Sequence, residues 1–265
     1  MPLPTFDNLK VEITEDAVLV VALDRLKAGN SLSTAMGRDL IRLFQAIEDD
    51  PCAARVMVLT GAGDKAFCAG ADLKERHGMS NEDWLAQHRI FERAFWGIVD
   101  CALPVIAAVN GHAIAGGLEI ALSCDFAYAA NEGRYALPEV KLGIMPGGGG
   151  TQLMARAAGT RRAKELILTG REFTAADGVE WGLFNAALPG RDVLAHALKT
   201  AGEIAANAPV SVRQAKKAIH HGSQMDMTRG LWFEIEAYNR LVFTADRLEG
   251  INSFNEKRKP RYQGK

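Results

Sequence analysis

Long apolar runs are missing from this 265-residue chain. None approaches the ~18–20 consecutive apolar residues that a bilayer-spanning helix needs, so no transmembrane segment is predicted. The opening MPLPTFDNLK has neither the apolar stretch of a secretory leader nor an Arg-rich transit pattern, and a cytoplasmic protein is expected. Excess charge is missing too: 31 Lys and Arg stand against 32 Asp and Glu. A net charge of -1 excludes chain-wide attraction to nucleic acid or anionic membrane, so any anionic ligand must be met by a local patch. Cysteine is scarce: Cys52, Cys68, Cys101 and Cys124 lie far apart in apolar or small-residue settings. With no CxxC spacing and no Cys/His cluster, they read as buried free thiols in a reducing compartment. The six histidines show no metal spacing, and no metal site is predicted. Neither a Walker-A sequence nor a GxGxxG opening a helix after a strand occurs, which argues against a nucleotide cofactor held in those ways.

What is present is an alternation of strand-like and helix-like segments. Residues 11–14 and 18–23 read as two strands joined at Glu15-Asp16, a hairpin signal. Ser33 can cap a helix to about Glu48, its Met36, Leu40, Leu43, Phe44 and Ile47 falling on one face. Residues 56–60 form a continuous apolar run, expected as a strand buried on both faces. A helix over 80–99 opens on Ser80 with Asp83 at capping-box spacing. Further elements are predicted as a strand at 126–129, helices at 161–168 and 174–181, and a strand near 183–187. The stretch 135–151, with Pro138, Pro146 and four successive glycines, reads as loop. From Arg191 the pattern is almost entirely helical. The chain therefore reads as an α/β core over 1–190 followed by a helical appendage over 191–265.

One stretch concentrates the chemistry: VIAAVNGHAIAGGLEIALSCD, residues 105–125. Its apolar start predicts a buried strand, its small residues a turn, and residues 118–124 a helix. A strand turning through glycines into a helix leaves backbone N–H groups unpaired at the helix start. Glu119 lies in that first turn. The residues alone fit either an ordinary tight turn or an oxyanion site with an acid/base group beside it. The loop Ala69-Gly70-Ala71 repeats the small-residue theme. A second carboxylate, Glu139, is bordered by Pro138 and apolar residues; burial would raise the pKa of either glutamate, and exposure in a loop is equally open for Glu139.

The segments AFCAGADLKE, PVIAAVNGHAIAGGLEIALSCD, LPEVKLGIMPGGGGTQ, AKELILTGR and DRLEGINSFNEKRKPRY, in that order and spacing, resemble the crotonase (enoyl-CoA hydratase/isomerase) superfamily over essentially the whole chain. The resemblance implies a crotonase-like spiral of repeated β-β-α units with a C-terminal helical trimerisation region, and a homotrimer or a hexamer built as a dimer of trimers. It implies oxyanion-hole N–H donors at Ala71 and Gly116 and acid/base glutamates at Glu119 and Glu139. Retention of both glutamates favours hydration of a 2-enoyl-CoA thioester to a 3-hydroxyacyl-CoA, a lyase reaction of fatty acid metabolism. Coenzyme A would arrive as part of the substrate, with no separate cofactor. It would be held by Lys27 and Ala28, by backbone around Ala69, Asp72 and Leu73, and by Phe254 and Lys257 reaching from a neighbouring subunit.

Details around FCAGADLKER and the ending also resemble methylglutaconyl-CoA hydratases, so that activity or enoyl-CoA isomerisation is the alternative. An RNA-binding role known for one such relative is disfavoured by the net charge. A purely structural role would leave both glutamates idle. Three departures stand out: Leu26 where proline is common, Ala115 in place of a glycine, and Leu153 in place of an arginine. The first two read as tolerable backbone changes. For His77, Trp84 and Phe91, core or surface packing is favoured over a place in the acyl pocket.

Overall fold

The computed structural model describes residues 3–51 and 54–265. The chain runs β1 (Leu9–Ile13), β2 (Val18–Leu23), α1 (Thr34–Asp49), β3 (Val56–Gly61), β4 (Ala66–Cys68), α2 (Leu73–Arg76) and α3 (Asn81–Val99). It continues through β5 (Val105–Val109), β6 (His112–Ile114), α4 (Gly116–Ser123), β7 (Phe126–Ala130) and β8 (Tyr135–Ala136). Then follow α5 (Gly150–Ala158), α6 (Thr160–Thr169), α7 (Ala175–Glu180), β9 (Ala186–Leu188), α8 (Gly190–Ala205), α9 (Pro209–Gly222), α10 (Met227–Asn239) and α11 (Ala245–Asn255).

The strands form two sheets. One has six strands in the order β1-β2-β3-β5-β7-β9, parallel except for the β1–β2 hairpin; the other is the short parallel set β4-β6-β8. The three turns that begin at β3, β5 and β7 each add one strand to the large sheet, one short strand to the small sheet, and then helix. This is the β-β-α spiral the resemblance implies. The apolar runs of β2, β3, β5 and β7 are continuous because the large sheet is buried on both faces. Leu19, Val21, Met57, Leu59, Ala107 and Ala129 face one core, packed under α1 and α3. Val18, Val20, Val58, Ile106, Ala108 and Tyr128 face the other.

That second core changes the domain division. α8 closes it, burying Val193, Ala197, Ala201 and Ala205 against the sheet. The sequence assigned this helix to the appendage; by packing it belongs to the core. An alanine stripe at four-residue spacing lets a helix lie close on a sheet, yet it gives a weaker apolar signal than leucine would. The helices with little buried surface are α9, α10 and α11. Lys216 of α9 reaches back, 2.8 Å from Asp125 and donating to the Leu103 carbonyl at 2.7 Å.

The expected strand at 183–187 lies at β9, and the loop expected through 151 gives way to α5 at Gly150. Cys68, Cys101 and Cys124 are buried free thiols, as the sequence suggested; Cys52 lies outside the described residues. Among the described residues, no helix is long and apolar enough to cross a membrane.

Candidate active site

Three loops leave the C-terminal ends of the small sheet's strands side by side, and each delivers part of the site. After β4, Leu32 bridges Ala71 in parallel: the Leu32 N–H donates to Gly70 O and the Asp72 N–H to Leu32 O, both at 2.8 Å. In such a bridge the N–H of Ala71 points away from Leu32. After β6, Gly116 is the first residue of α4, so its N–H has no acceptor within the helix. The two amides lie close together. A Cβ built on Gly70 would stand 3.5 Å from Gly116 N, and one on Gly116 would stand 4.0 Å from Ala71 N.

Close backbone contact holds the two loops together. A Cβ on Gly117 would lie 2.0 Å from the Cys68 carbonyl oxygen, so only glycine permits α4 this close to β4. Ala115 caps the helix at φ 53, ψ -127, a left-handed backbone that a non-glycine residue adopts under strain. This replacement of a glycine, expected to be tolerable, carries a conformational cost.

Glu119 and Glu139 are both buried, at 3% and 7% exposure, and both face the cavity beside these amides. The open alternative of an exposed loop carboxylate at 139 is removed. Glu119 Oε1 accepts the N–H of Gly148 at 2.7 Å and of Gly150 at 2.8 Å. Burial raises its pKa, while these two donors oppose the rise by stabilising the anion. Glu139 begins the 3-10 turn Glu139–Leu142 after β8, and its Oε2 is buried without a hydrogen-bond partner. Burial pushes its pKa up to about 7, a bond from its own backbone opposes, and the Glu119 charge adds to the rise. Burial thus raises the pKa of both carboxyls, but only Glu119 has two backbone donors from another loop opposing the rise. The signal the sequence concealed is the tetraglycine: it is not slack loop but the clamp on Glu119.

The cavity has a volume of about 510 Å³. Ala69, Ala71, Leu73 and Gly116 line it, as does an α2–α3 wall bearing Arg76, Trp84, His88, Phe91 and Phe95. Phe91 packs in the core as expected and also reaches the cavity wall, Trp84 borders the cavity, and His77 ends α2 outside it. Asp72 is occupied structurally: its carboxylate caps α2 through the N–H groups of Lys74 and Glu75 and pairs with Arg25 at 2.9 Å. Lys27 is exposed and Ala28 half-buried in the 3-10 turn Leu26–Ala28, which Ala69 meets by donating its N–H to Gly29 O at 3.0 Å. Phe254 and Lys257 are exposed at the end of α11, and neither lies on the cavity wall. In the basic tail, Arg258 is paired internally with Glu249 and Glu256.

A larger open groove of about 1310 Å³ lies elsewhere, beside Thr60, Asn110 and His112, and contains neither glutamate. His112, near the focal loop in sequence, is structural: its Nδ1 accepts the Arg134 N–H at 3.1 Å. Among the described residues no His, Cys, Asp or Glu cluster is arranged to hold a metal ion.

Paired amides lining one cavity with two buried carboxylates, on a β-β-α spiral, define a class of acyl-thioester enzymes. The chain belongs to the enoyl-CoA hydratase/isomerase family, whose pattern it matches over residues 13–265. It is 39% identical over 245 residues to the short-chain-enoyl-CoA hydratase of Clostridium acetobutylicum, covering 92% of this chain and 94% of that one. It is 38% identical over 267 residues to the mitochondrial methylglutaconyl-CoA hydratase of Homo sapiens, covering 98% and 78%. Among solved structures, an enoyl-CoA hydratase from Bacillus anthracis superposes with a TM-score of 0.95 at 42% identity, covering 98% of this chain and all of that one.

Proposed function

We propose that the protein adds water across the 2,3 double bond of a 2-enoyl-CoA thioester, giving the 3-hydroxyacyl-CoA. The observation that carries this reading is the pair of buried glutamates lining one cavity with two closely spaced amides. The thioester oxygen accepts from the N–H groups of Ala71 and Gly116. Glu119, its other oxygen held by Gly148 and Gly150, takes a proton from water as the water oxygen bonds to C3. The C2–C3 π pair moves toward C2 and the thioester oxygen, where the two amides stabilise the enolate charge. Glu139 then gives its proton to C2. Atoms balance: water supplies the C3 hydroxyl and one proton, and the two carboxyls exchange protonation states before the next turnover.

Coenzyme A enters as the substrate's own carrier and leaves with the product. Ala28, Ala69 and Leu73 border the approach to the amides, and Phe254 and Lys257 complete the binding site from a neighbouring subunit. Assembly as a trimer or dimer of trimers fits the exposed apolar side chains of the C-terminal helices, Trp232, Phe243 and Phe254 among them.

The deciding experiment presents crotonyl-CoA and 3-butenoyl-CoA separately to the purified protein. Rapid formation of 3-hydroxybutyryl-CoA from crotonyl-CoA is expected. Conversion of the 3-enoyl substrate with no hydration of crotonyl-CoA would assign isomerase chemistry instead.

A further inference from the structure

In a conjugated enoyl thioester the carbonyl oxygen, C2 and C3 form one rigid, planar unit. The donors that meet the oxygen and the base that serves C3 must therefore stand at one matching separation, and a misplacement of about 1 Å can cost about 10²-fold in rate. Gly116 carries one of those donors, and the Gly148 N–H holds Glu119 Oε1 at 2.7 Å. The two glycines belong to different turns of the spiral, yet one side chain touches both. A Cβ built on Gly148 would stand 2.6, 2.7 and 2.8 Å from Cε2, Cδ2 and Cζ of Phe95, and one built on Gly116 would stand 3.6 Å from the same Cζ. Gly148 lies outside the left-handed region of backbone space, so alanine could adopt its conformation. The missing side chain there serves the close approach of the ring.

Phe95 is itself held firmly. It is buried in the main core and also reaches the cavity wall. Its helix, α3, is seated on α1 through glycines on both sides of the contact. A Cβ on Gly37 would meet Ile90 Cγ2 at 2.9 Å and Phe91 Cδ1 at 3.0 Å, and one on Gly97 would meet Phe44 Cβ at 3.0 Å. A helix packed this closely cannot slide without opening the contact. Leu32 continues the chain of contacts to the other amide. Its backbone bridges Ala71, and its Cδ1 would stand 3.1 Å from a Cβ on Gly116. Leu32 and Phe95 border the same small gap in the core.

We propose that Phe95 is a positioning residue whose ring is the spacer between the oxyanion amide of Gly116 and the Gly148 clamp on Glu119. This rests on the hydratase reading and adds to it the side chain that sets donor and base apart.

The test is a double-mutant cycle in the full-length protein, read as kcat for hydration of crotonyl-CoA. G148A sets a methyl against the ring and is expected to lower kcat about 10²-fold, and F95L, which removes the spacer, about tenfold. In F95L/G148A the methyl occupies room the ring has left. The combined loss is expected to be at least about fivefold smaller than the product of the single losses, as for residues in contact. Losses that simply multiply overturn the assignment. Two further readings keep it testable should G148A fail to fold. I98A, one turn further along α3 in the same core, is expected to lower the thermal midpoint while kcat stays within about threefold of wild type. An equal fall in kcat in I98A and F95L would leave Phe95 no role beyond the core. Calorimetry with saturated butyryl-CoA is expected to give F95L an affinity within about threefold of wild type. Weakened binding with kcat retained would make the ring a substrate contact instead. Wild-type hydration of crotonyl-CoA is measured first: its absence sinks the hydratase reading, whereas multiplying losses in an active protein sink only the role of Phe95.

Discussion

Glu119 Oε1 lies 2.8 Å from the amide nitrogen of Gly150, a residue 31 positions further along the chain. The base is carried by α4, and its ionisation is supported by backbone arriving from another turn of the spiral. The same oxygen also accepts the Gly148 amide, so the carboxylate is fixed in orientation by two donors that oppose the rise in pKa caused by burial.

Replacing Glu119 by Gln keeps an oxygen for both amides but removes the proton acceptor. Hydration of crotonyl-CoA by E119Q is expected to fall about 10³-fold in kcat, with the thermal midpoint nearly unchanged. A rate near wild type would show that Glu119 does not take the water proton.

Glu139 sets a pH limit. Its folded-state pKa of about 7 lies above the ordinary 4.5, so the protonated donor form is lost as pH rises through about 7. The profile of kcat/KM is expected to decline on its alkaline side there, and E139Q, slow throughout, is expected to lack that limb. Stability runs the same way. Between 4.5 and 7 the folded chain holds a proton that the unfolded chain has released, so stability falls with rising pH, by up to about 3 kcal/mol. E139Q is expected to be more stable than wild type above pH 7 and not below pH 4.5, measured by thermal unfolding.

Neighbouring glycines are expected to fail in different ways. A Cβ at Gly116 meets Leu32 at 3.1 Å and stands beside the Ala71 amide, so G116A should fold while obstructing the oxyanion site, with activity down about 10²–10³-fold. A Cβ at Gly117 strikes the Cys68 carbonyl at 2.0 Å, so G117A should lower the thermal midpoint and activity together. Equal midpoints for the two variants would contradict this packing.

Ala115 offers the opposite experiment. Its φ of 53 and ψ of -127 suit glycine, so A115G relieves strain of about 1–3 kcal/mol against a gain in unfolded-chain freedom of about 0.5–1 kcal/mol. The net expectation is stabilisation of about 1 kcal/mol, a rise of about 2–4 °C in midpoint by calorimetry.

How much of this was legible depends on what each residue's signal is made of. The buried strand at 105–109 and the amphipathic α1 announce themselves because burial on two faces, or on one, imprints apolar periodicity. The small sheet does not: β4, β6 and β8 are two or three residues each, too short to carry a period. Gly148 and Gly150 act through backbone N–H groups, which every residue has, so their aim at Glu119 leaves no side-chain trace. Trp84 read as packing because a helix lining a cavity has the same apolar stripe as one lining a core.

The small sheet also governs when the enzyme comes into being. Its three strands are drawn from three turns spread over residues 66 to 136, and their loops supply one amide, the other amide and a carboxyl. Helices such as α1 and α3 can form from nearby sequence, whereas parallel pairing between distant strands waits on slow closure of long loops. During refolding from denaturant, recovered helicity should therefore run ahead of recovered turnover: the molecule becomes a folded protein before it becomes a catalyst.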